Sequence, residues 1–227
     1  MSIGLKLVTP PTVEPVTLAL AKSHLCVDFP EDDLLIAAYI TGARQFCERY
    51  THRVFFSQTW QLSLDHFPMY GCDSSSMQPS TGRNWPYWGA LWDGLIIRLP
   101  RPTCVSVTSI TFTDQSGNPQ TLAPASYTVD VNSEPARIVP APTTFWPYTQ
   151  SYLPGSVNIK YVAGSYGDGT VVNTCPQTVV IAILLMVGHL YTNRETVSEL
   201  SLKEIPLGVK SLLDTVRFDT FTYETGY

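Results

Sequence analysis

Charged side chains are scarce in this chain: Asp, Glu, Lys and Arg together make up 15% of its 227 residues. The formal net charge is −5, and the basic residues form no run along the sequence. Tight binding of nucleic acid through its phosphates needs a basic cluster, so this class of protein is disfavoured. The hydrophobic content of 44% excludes an intrinsically disordered chain and indicates a globular fold with a substantial core.

Long apolar runs are also missing. The longest, residues 179–191, falls well short of the roughly 20 residues that a membrane-spanning helix needs. We interpret it as a fully buried core helix and expect no membrane association. The first residues show no basic region followed by a long apolar core, so we predict no secretory signal.

Cysteine usage excludes two further classes. The cysteines are Cys26, Cys47, Cys72, Cys104 and Cys175. They are odd in number, widely spaced and without a CxxC pair, whereas disulfide frameworks and zinc sites use paired or closely spaced cysteines. We therefore expect free thiols in a reducing cytoplasm.

Motifs of catalysis are absent from the sequence. There is no GxSxG, and the histidines (His24, His52, His66 and His189) are scattered without an HExxH partner. The glycine-rich residues 164–169 lack the Lys-Ser/Thr ending of a phosphate loop and are predicted to be a flexible link. We expect no enzyme activity, no metal and no cofactor. A hydrolase site assembled from distant residues is the weakest alternative.

The N-terminal quarter is predicted to be helical after an extended arm. Prolines at positions 10, 11 and 15 keep residues 1–16 out of a helix. Thr17 can cap a short helix, and the acidic residues 28–33 mark the start of a longer one that ends near Tyr50. Its predicted apolar face carries Leu35, Tyr39, Ala43, Phe46 and Tyr50, and its predicted polar side carries Arg44, Glu48 and Arg49.

From residue 54 the apolar period changes to two, which indicates strands. Trp60, Leu62 and Leu64 alternate with polar residues. Further strands are predicted at residues 95–99, 105–113, 127–131, 137–139 and 157–162. Residues 114–118 are typical of a hairpin loop.

The C-terminal part returns to a helical pattern. Pro176 and Pro206 can each open a helix, the second with Val209, Leu212, Leu213 and Val216 on its apolar side. The fold class is therefore predicted as α+β: a small helical bundle of about four helices with a β-rich insertion between the second and third main helices. The predicted segments are 1–53 (arm and helices), 54–170 (β-rich insertion), 171–217 (C-terminal helices) and 218–227 (tail).

Two segments are unusually aromatic for their setting. A long Gly-, Ser- and Pro-rich loop, residues 69–94, carries Trp85, Tyr87, Trp88 and Trp92. Such side chains can anchor a protein partner, cover the chain's own sheet or stack on sugar rings. The last use makes a carbohydrate-binding or receptor-binding module the alternative function. The tail carries Phe218, Phe221, Tyr223 and Tyr227, which we predict to contact another subunit or a partner protein.

Four stretches of sequence together suggest a family. They are residues 5–28; residues 31–53 followed by Gln58-Thr59-Trp60; Ile97-Arg98-Leu99-Pro100-Arg101-Pro102 followed by residues 105–113; and Tyr161-Val162-Ala163-Gly164 with residues 182–191 and Asn193-Arg194-Glu195. In this order they resemble the head–tail connector proteins (adaptor or neck proteins) of long-tailed bacteriophages and prophages.

The resemblance implies a structural protein of the virion neck, assembled in the host bacterial cytoplasm. It implies a ring of about twelve copies beneath the portal protein, joined below to a stopper or tail-completion protein. DNA would pass through this ring without specific binding. Residues 69–94 form a longer segment than the resemblance leads us to expect, and Cys26 stands where a charged residue is expected.

Overall fold

The structure is a computed structural model that describes residues 3–68, 95–150, 153–168, 174–193 and 207–218. The chain forms two compact units, a sheet unit (Met1–Pro10 and Gln58–Ala163) and a helical unit (Pro11–Ser57 and Gly164–Tyr227). In the described residues, four α-helices and two antiparallel sheets confirm the predicted α+β class.

The helical unit is built around two long helices. Its elements are α1 (Leu18–Leu25), α2 (Asp33–Thr51), α3 (Gln177–Thr192) and α4 (Leu207–Asp214). Helix α3 packs against α2 and α4, and α1 packs on both α2 and α3. Helix α1 begins where predicted, because the Thr17 side chain accepts a hydrogen bond from the Leu20 N–H at 3.2 Å.

The buried face of α2 lies one residue later than predicted. Leu35, Tyr39, Phe46 and Tyr50 are only half-buried. The buried stripe consists of Ile36, Ile40, Ala43, Arg44, Cys47, Glu48 and Thr51. Spacings of three and four fit both the predicted and the observed stripe. Which of the two is buried depends on Arg44 and Glu48. Both were predicted on the polar side, but they are buried because they form an ion pair.

The start of α2 uses its acidic residues for tertiary contacts. The helix begins at Asp33, as predicted, but the Asp32 side chain makes no capping hydrogen bond. Its carboxylate instead accepts from the Tyr191 hydroxyl on α3 at 2.5 Å. Asp33 forms an ion pair of 2.6 Å with Lys22 on α1. These two carboxylates therefore tie the start of α2 to α1 and α3.

Helix α3 is not fully buried, which corrects the prediction for residues 179–191. Ile181 and Leu185 are exposed, although Ala182, Ile183, Met186 and Val187 belong to the core. An interval of four residues places the two exposed side chains on one helix face. No helix in the described part of the chain combines the length and hydrophobicity that a bilayer crossing requires.

The sheet unit contains a five-stranded and a three-stranded sheet. Its strands are β1 (Ile3–Thr9), β2 (Gln58–Leu64), β3 (Ile97–Arg98), β4 (Cys104–Thr113), β5 (Pro119–Thr121), β6 (Tyr127–Asp130), β7 (Arg137–Pro140) and β8 (Val157–Ala163). The strand orders are β1-β2-β8-β4-β5 and β3-β7-β6. In the central strand β8, alternate residues from Val157 to Ala163 are fully buried.

The first ten residues belong to the sheet unit and not to the helical one, which corrects the predicted segment 1–53. Strand β1 pairs antiparallel with β2, with Leu5 opposite Leu62 and Leu7 opposite Trp60. The apolar alternation of β1 matches that of β2, and this shared face fixes the register. The prolines that follow end the strand; they do not mark the whole stretch as an arm.

The β4–β5 hairpin forms where it was predicted. Asp114 opens its loop, and its carboxylate accepts hydrogen bonds from the N–H groups of Ser116 and Asn118, each at 2.9 Å. These hydrogen bonds, chiefly that from Asn118, hold the pKa of Asp114 below its ordinary value. The aspartate is therefore a turn residue and not a candidate acid or base.

Residues 55–57, where the chain leaves the helical unit, lie beside residues 164–167, where the chain returns to it. The Tyr166 N–H donates to the Phe55 carbonyl, and the Ser57 N–H donates to the Gly167 carbonyl, both at 3.0 Å. Gly164 has φ +107°, and a Cβ there would lie 2.2 Å from the Phe56 carbonyl oxygen. The predicted flexible link is thus fixed at residues 164–168, and Gly164 permits a close backbone approach.

Gly164→Ala is expected to lower the free energy of unfolding by more than about 2 kcal/mol, because it adds both a steric clash and backbone strain. Urea denaturation of both proteins measures the loss. Gly155→Ala is the control: Gly155 has φ +67°, but nothing lies within 4 Å of its added Cβ. It should lose only about 1 kcal/mol, from backbone strain alone. Equal losses would show that the close approach is unimportant.

Candidate interaction surfaces

The described residues contain no group of three or more His, Cys, Asp or Glu side chains placed to hold a metal ion. Three of the cysteines, Cys47, Cys104 and Cys175, are buried thiols. Burial raises the pKa of Cys47 and Cys175 to about 12 and that of Cys104 to about 11. Because the thiolate is the reactive form, these cysteines act as small apolar core residues.

Cys26 should be the only one of the four described cysteines that reacts with a thiol reagent in the folded protein at pH 8. Cys26 is exposed at the end of α1. A thiol with a pKa of 12 is ionised in only about one molecule in ten thousand at that pH. Cys72 lies outside the described residues, so the measurement uses a Cys72→Ser background. One thiol should titrate before unfolding and four after it; rapid labelling of Cys47 would contradict the described burial.

A buried ion network links three segments of the helical unit. Arg44 donates from Nη1 to Glu48 at 2.8 Å and from Nε to Glu14 at 2.7 Å. The second Glu48 oxygen accepts from the Phe55 N–H at 3.1 Å. The exposed fractions of the Arg44 and Glu48 side chains are 5% and 9%. The network therefore joins the proline-rich residues 11–16, helix α2 and Phe55, which follows that helix. Its role is structural.

The first residue of the C-terminal tail, Phe218, is held at the end of α2. The Phe218 N–H donates to the Thr51 carbonyl at 2.9 Å, and Arg53 Nε donates to the Val216 carbonyl at 2.8 Å. The Arg53 guanidinium lies 5.7 Å from the centre of the Phe218 ring. Phe218, predicted as an interface residue, therefore contacts its own chain. The other predicted tail residues, Phe221, Tyr223 and Tyr227, lie outside the described residues.

A shallow surface depression lies along α2 beside this point of departure; we call it the α2 groove. Its volume is about 460 Å³, and it is lined by Gly42, Gln45, Phe46, Arg49 and Tyr50. The Phe46 and Tyr50 rings stack with centres 6.2 Å apart. Apart from its chain neighbours and the backbone of its own helix, no described residue has an atom within 4 Å of the position that a Cβ on Gly42 would take, so the groove is open there. Both aromatics were predicted on the apolar face of α2, and they are half-buried against the core.

Tyr50 forms the end of the α2 groove nearest the tail. Its hydroxyl donates to the Asp214 carboxylate at 2.8 Å, and this hydrogen bond raises the pKa of Tyr50. The Arg217 guanidinium lies 5.4 Å from the centre of its ring. Arg217 is also 3.9 Å from Asp214, which offsets its charge. Arg49 therefore supplies the main positive charge of the groove.

Other apolar side chains are exposed in both units. In the helical unit, Leu34 at the start of α2 is 89% exposed, and Phe29 and Leu20 are also exposed. In the sheet unit, Phe145 is 81% exposed, and Tyr148 lies exposed nearby in the sequence. These residues were not predictable, because acids surround Leu34 and no predicted element contains Phe145. Single exposed apolar side chains are normal on protein surfaces, and contiguous apolar patches mark contact surfaces.

Strand β1 is an edge of the five-stranded sheet. Its described neighbour is β2, and the side chains of residues 4–9 are exposed. Leu5 and Leu7 continue the apolar face of β2 to this edge. An edge strand with one charged residue, Lys6, is weakly protected against pairing with another chain.

Trp85, Tyr87, Trp88 and Trp92 of the predicted aromatic loop lie outside the described residues. Carbohydrate binding depends on these side chains, so it stays a prediction.

Three solved structures share the fold of this chain. One is the neck of an empty gene transfer agent (GTA) particle computed with C6 symmetry. It has a TM-score of 0.67 at 19% sequence identity, and the match covers 94% of this chain and 95% of that chain. A chain of the virion of a native GTA particle has a TM-score of 0.66 at 19% identity, with 94% of each chain covered. The neck of a native GTA particle computed with C12 symmetry gives 0.60 at 20% identity, with 96% and 95% covered.

This chain has a neck-protein fold. The likeness spans both units, and it confirms at the level of fold the resemblance carried by the four sequence stretches. No protein-family model and no curated protein matches the sequence. Within this neck fold, the described surfaces offer apolar, aromatic and backbone groups for protein contacts.

Proposed function

We propose that this chain is a structural head–tail connector (adaptor) subunit of a phage-like particle. Copies of it form a ring beneath the portal protein, join the head to a stopper or tail-completion protein, and surround the path of the DNA. The chain acts in the virion neck after assembly in the host cytoplasm, and it is not an enzyme. The observation that carries this proposal is the shared fold with neck structures of C6 and C12 symmetry over at least 94% of the chain.

The physical chemistry of the surface supports a ring around DNA. Subunits that meet head-to-tail need two different contact faces, and exposed apolar side chains occur in both units. The net charge of −5 repels phosphate, so a passing duplex would not be held tightly. Burial of the three described core thiols suits a protein that scaffolds and does not react.

Disruption of the gene in the phage or prophage that encodes this chain tests the proposal. We expect heads and tails to accumulate separately, since the joint between them is missing. Expression of the intact chain from a plasmid should restore tailed particles. Normal tailed, infectious particles in its absence would refute the connector role.

A further inference from the structure

The α2 groove has the chemistry of a receptor for an acidic, aromatic peptide. The stacked Phe46 and Tyr50 rings offer an apolar surface, and the exposed Arg49 adds a positive charge beside them. The absence of a side chain at Gly42 leaves space at the far end for a bulky side chain of a ligand. Aromatic and arginine side chains of this kind dominate the energetics of protein contacts.

The tail of this chain has the matching composition. Residues 219–227 read Asp-Thr-Phe-Thr-Tyr-Glu-Thr-Gly-Tyr, with three aromatic and two acidic side chains and no basic one. The aromatic rings can pack on Phe46 and Tyr50, while Asp219 and Glu224 oppose the charge of Arg49. We infer that the α2 groove of each subunit binds the tail of the neighbouring copy in the ring.

The path of the chain favours a neighbour over the same molecule. The backbone runs from Asp214, hydrogen-bonded to Tyr50, to Phe218, hydrogen-bonded to Thr51, the last residue of α2. Phe218 therefore lies at the end of the groove, and the residues after it would have to turn back along α2 to enter the groove of the same molecule. Its nine residues can extend about 30 Å, which exceeds the groove length of about 12 Å from Gly42 to Tyr50 and leaves about 18 Å to cross to an adjacent copy.

A tail-in-groove contact is head-to-tail, because the groove and the tail are different surfaces. Such contacts either close into a ring or continue as a filament. The inference rests on the proposed ring and adds to it the segment that links one copy to the next.

Disulfide trapping tests which copy supplies the tail. Gln45→Cys places a thiol in the groove and Thr222→Cys places one in the tail, in a background with Cys26→Ser and Cys72→Ser. The full chain is assembled with its portal, oxidised mildly and separated on a non-reducing gel. We expect a ladder of covalent oligomers, whereas either single cysteine variant can form dimers at most.

The other possible outcomes contradict either the inferred tail contact alone or the connector role as well. An internally crosslinked monomer means that the tail folds back on its own chain, and an assembled ring without crosslinks means that the groove is not its site. Both results refute the inference and leave the connector role standing. A chain that forms no ring with the portal under any condition refutes both.

A charge reversal tests the same contact between groove and tail independently. Arg49→Glu should raise the concentration needed for half-assembly about ten-fold, and Glu224→Arg in the same chain should restore it. Lys160→Glu, which makes the same charge change on the exposed face of β8, is the control and should have no effect. Assembly unchanged by Arg49→Glu, or not restored by the double variant, would overturn the predicted charge contact.

Discussion

A chain that ends at Phe218 is expected to fold normally and to lose ring assembly on the portal. The fold should persist because Phe218 keeps its hydrogen bond to Thr51 and its contact with Arg53. Assembly should fail because the truncation removes all three remaining tail aromatics, Phe221, Tyr223 and Tyr227. A loss of that much apolar contact per subunit is repeated at every joint of a ring, so the effect on assembly is large.

Thermal unfolding and electron microscopy of the portal complex separate the two effects. The truncated chain should melt within a few degrees of the intact one, yet no ring should appear on the portal. A matched pair of full-length variants controls for tail length: serines at the three aromatic positions should abolish assembly, and serines at Thr220, Thr222 and Thr225 should not. A truncated chain that still forms rings would show that the tail has no part in assembly.

Arg44→Met should be the most destabilising of the substitutions considered for the fold. It leaves the Glu48 carboxylate buried without its charge partner, and uncompensated buried charges typically lower stability by about 3–5 kcal/mol. Glu14 also loses a partner, but its side chain is 30% exposed and can be hydrated. Methionine fills a similar volume, so the loss is electrostatic and not a cavity effect.

Denaturant titration of two further variants tests whether the loss of stability comes from the buried charge of Glu48. Glu48→Gln added to Arg44→Met removes the stranded charge but keeps an acceptor for the Phe55 N–H, so it should recover at least about 1 kcal/mol. Arg137→Met breaks an exposed pair with Asp130 and should lose less than about 1 kcal/mol. A double variant no more stable than Arg44→Met would contradict a charge-based penalty.

Local sequence signals predicted most of the elements. The Thr17 cap, the start of α2 at the acidic residues and the hairpin at Asp114 each depend on neighbours within a few positions. The strands between residues 95 and 163 also formed close to their predicted bounds. Such features are encoded by the residues that adopt them, so one sequence suffices to find them.

The misjudged features depend on distant partners. Arg44 and Glu48 are polar by type, and they are buried because they pair with each other and because Arg44 also pairs with Glu14, 30 residues earlier in the chain. Strand β1 alternates in sequence, but its place at the sheet edge is set by pairing with β2. The need for glycine at position 164 comes from the Phe56 carbonyl, more than one hundred residues earlier in the chain.

The candidate surfaces were only partly predictable. Aromatic density pointed to the tail, and the structure fixes its first residue at the end of α2. The α2 groove could not be predicted, because it forms where half-buried side chains border the core, and periodicity alone does not separate them from the buried stripe one residue later. The neck fold was suggested by four weak stretches of sequence in the right order, a likeness that no single motif carries.

Light-scattering mass of the purified chain, alone and mixed with its portal, tests most directly whether these molecules form a neck ring. With the portal we expect the added mass of about twelve copies of the 25.2 kDa chain, close to 300 kDa. A chain that stays a 25.2 kDa monomer in the presence of the portal, with no added mass on it, would contradict the connector role.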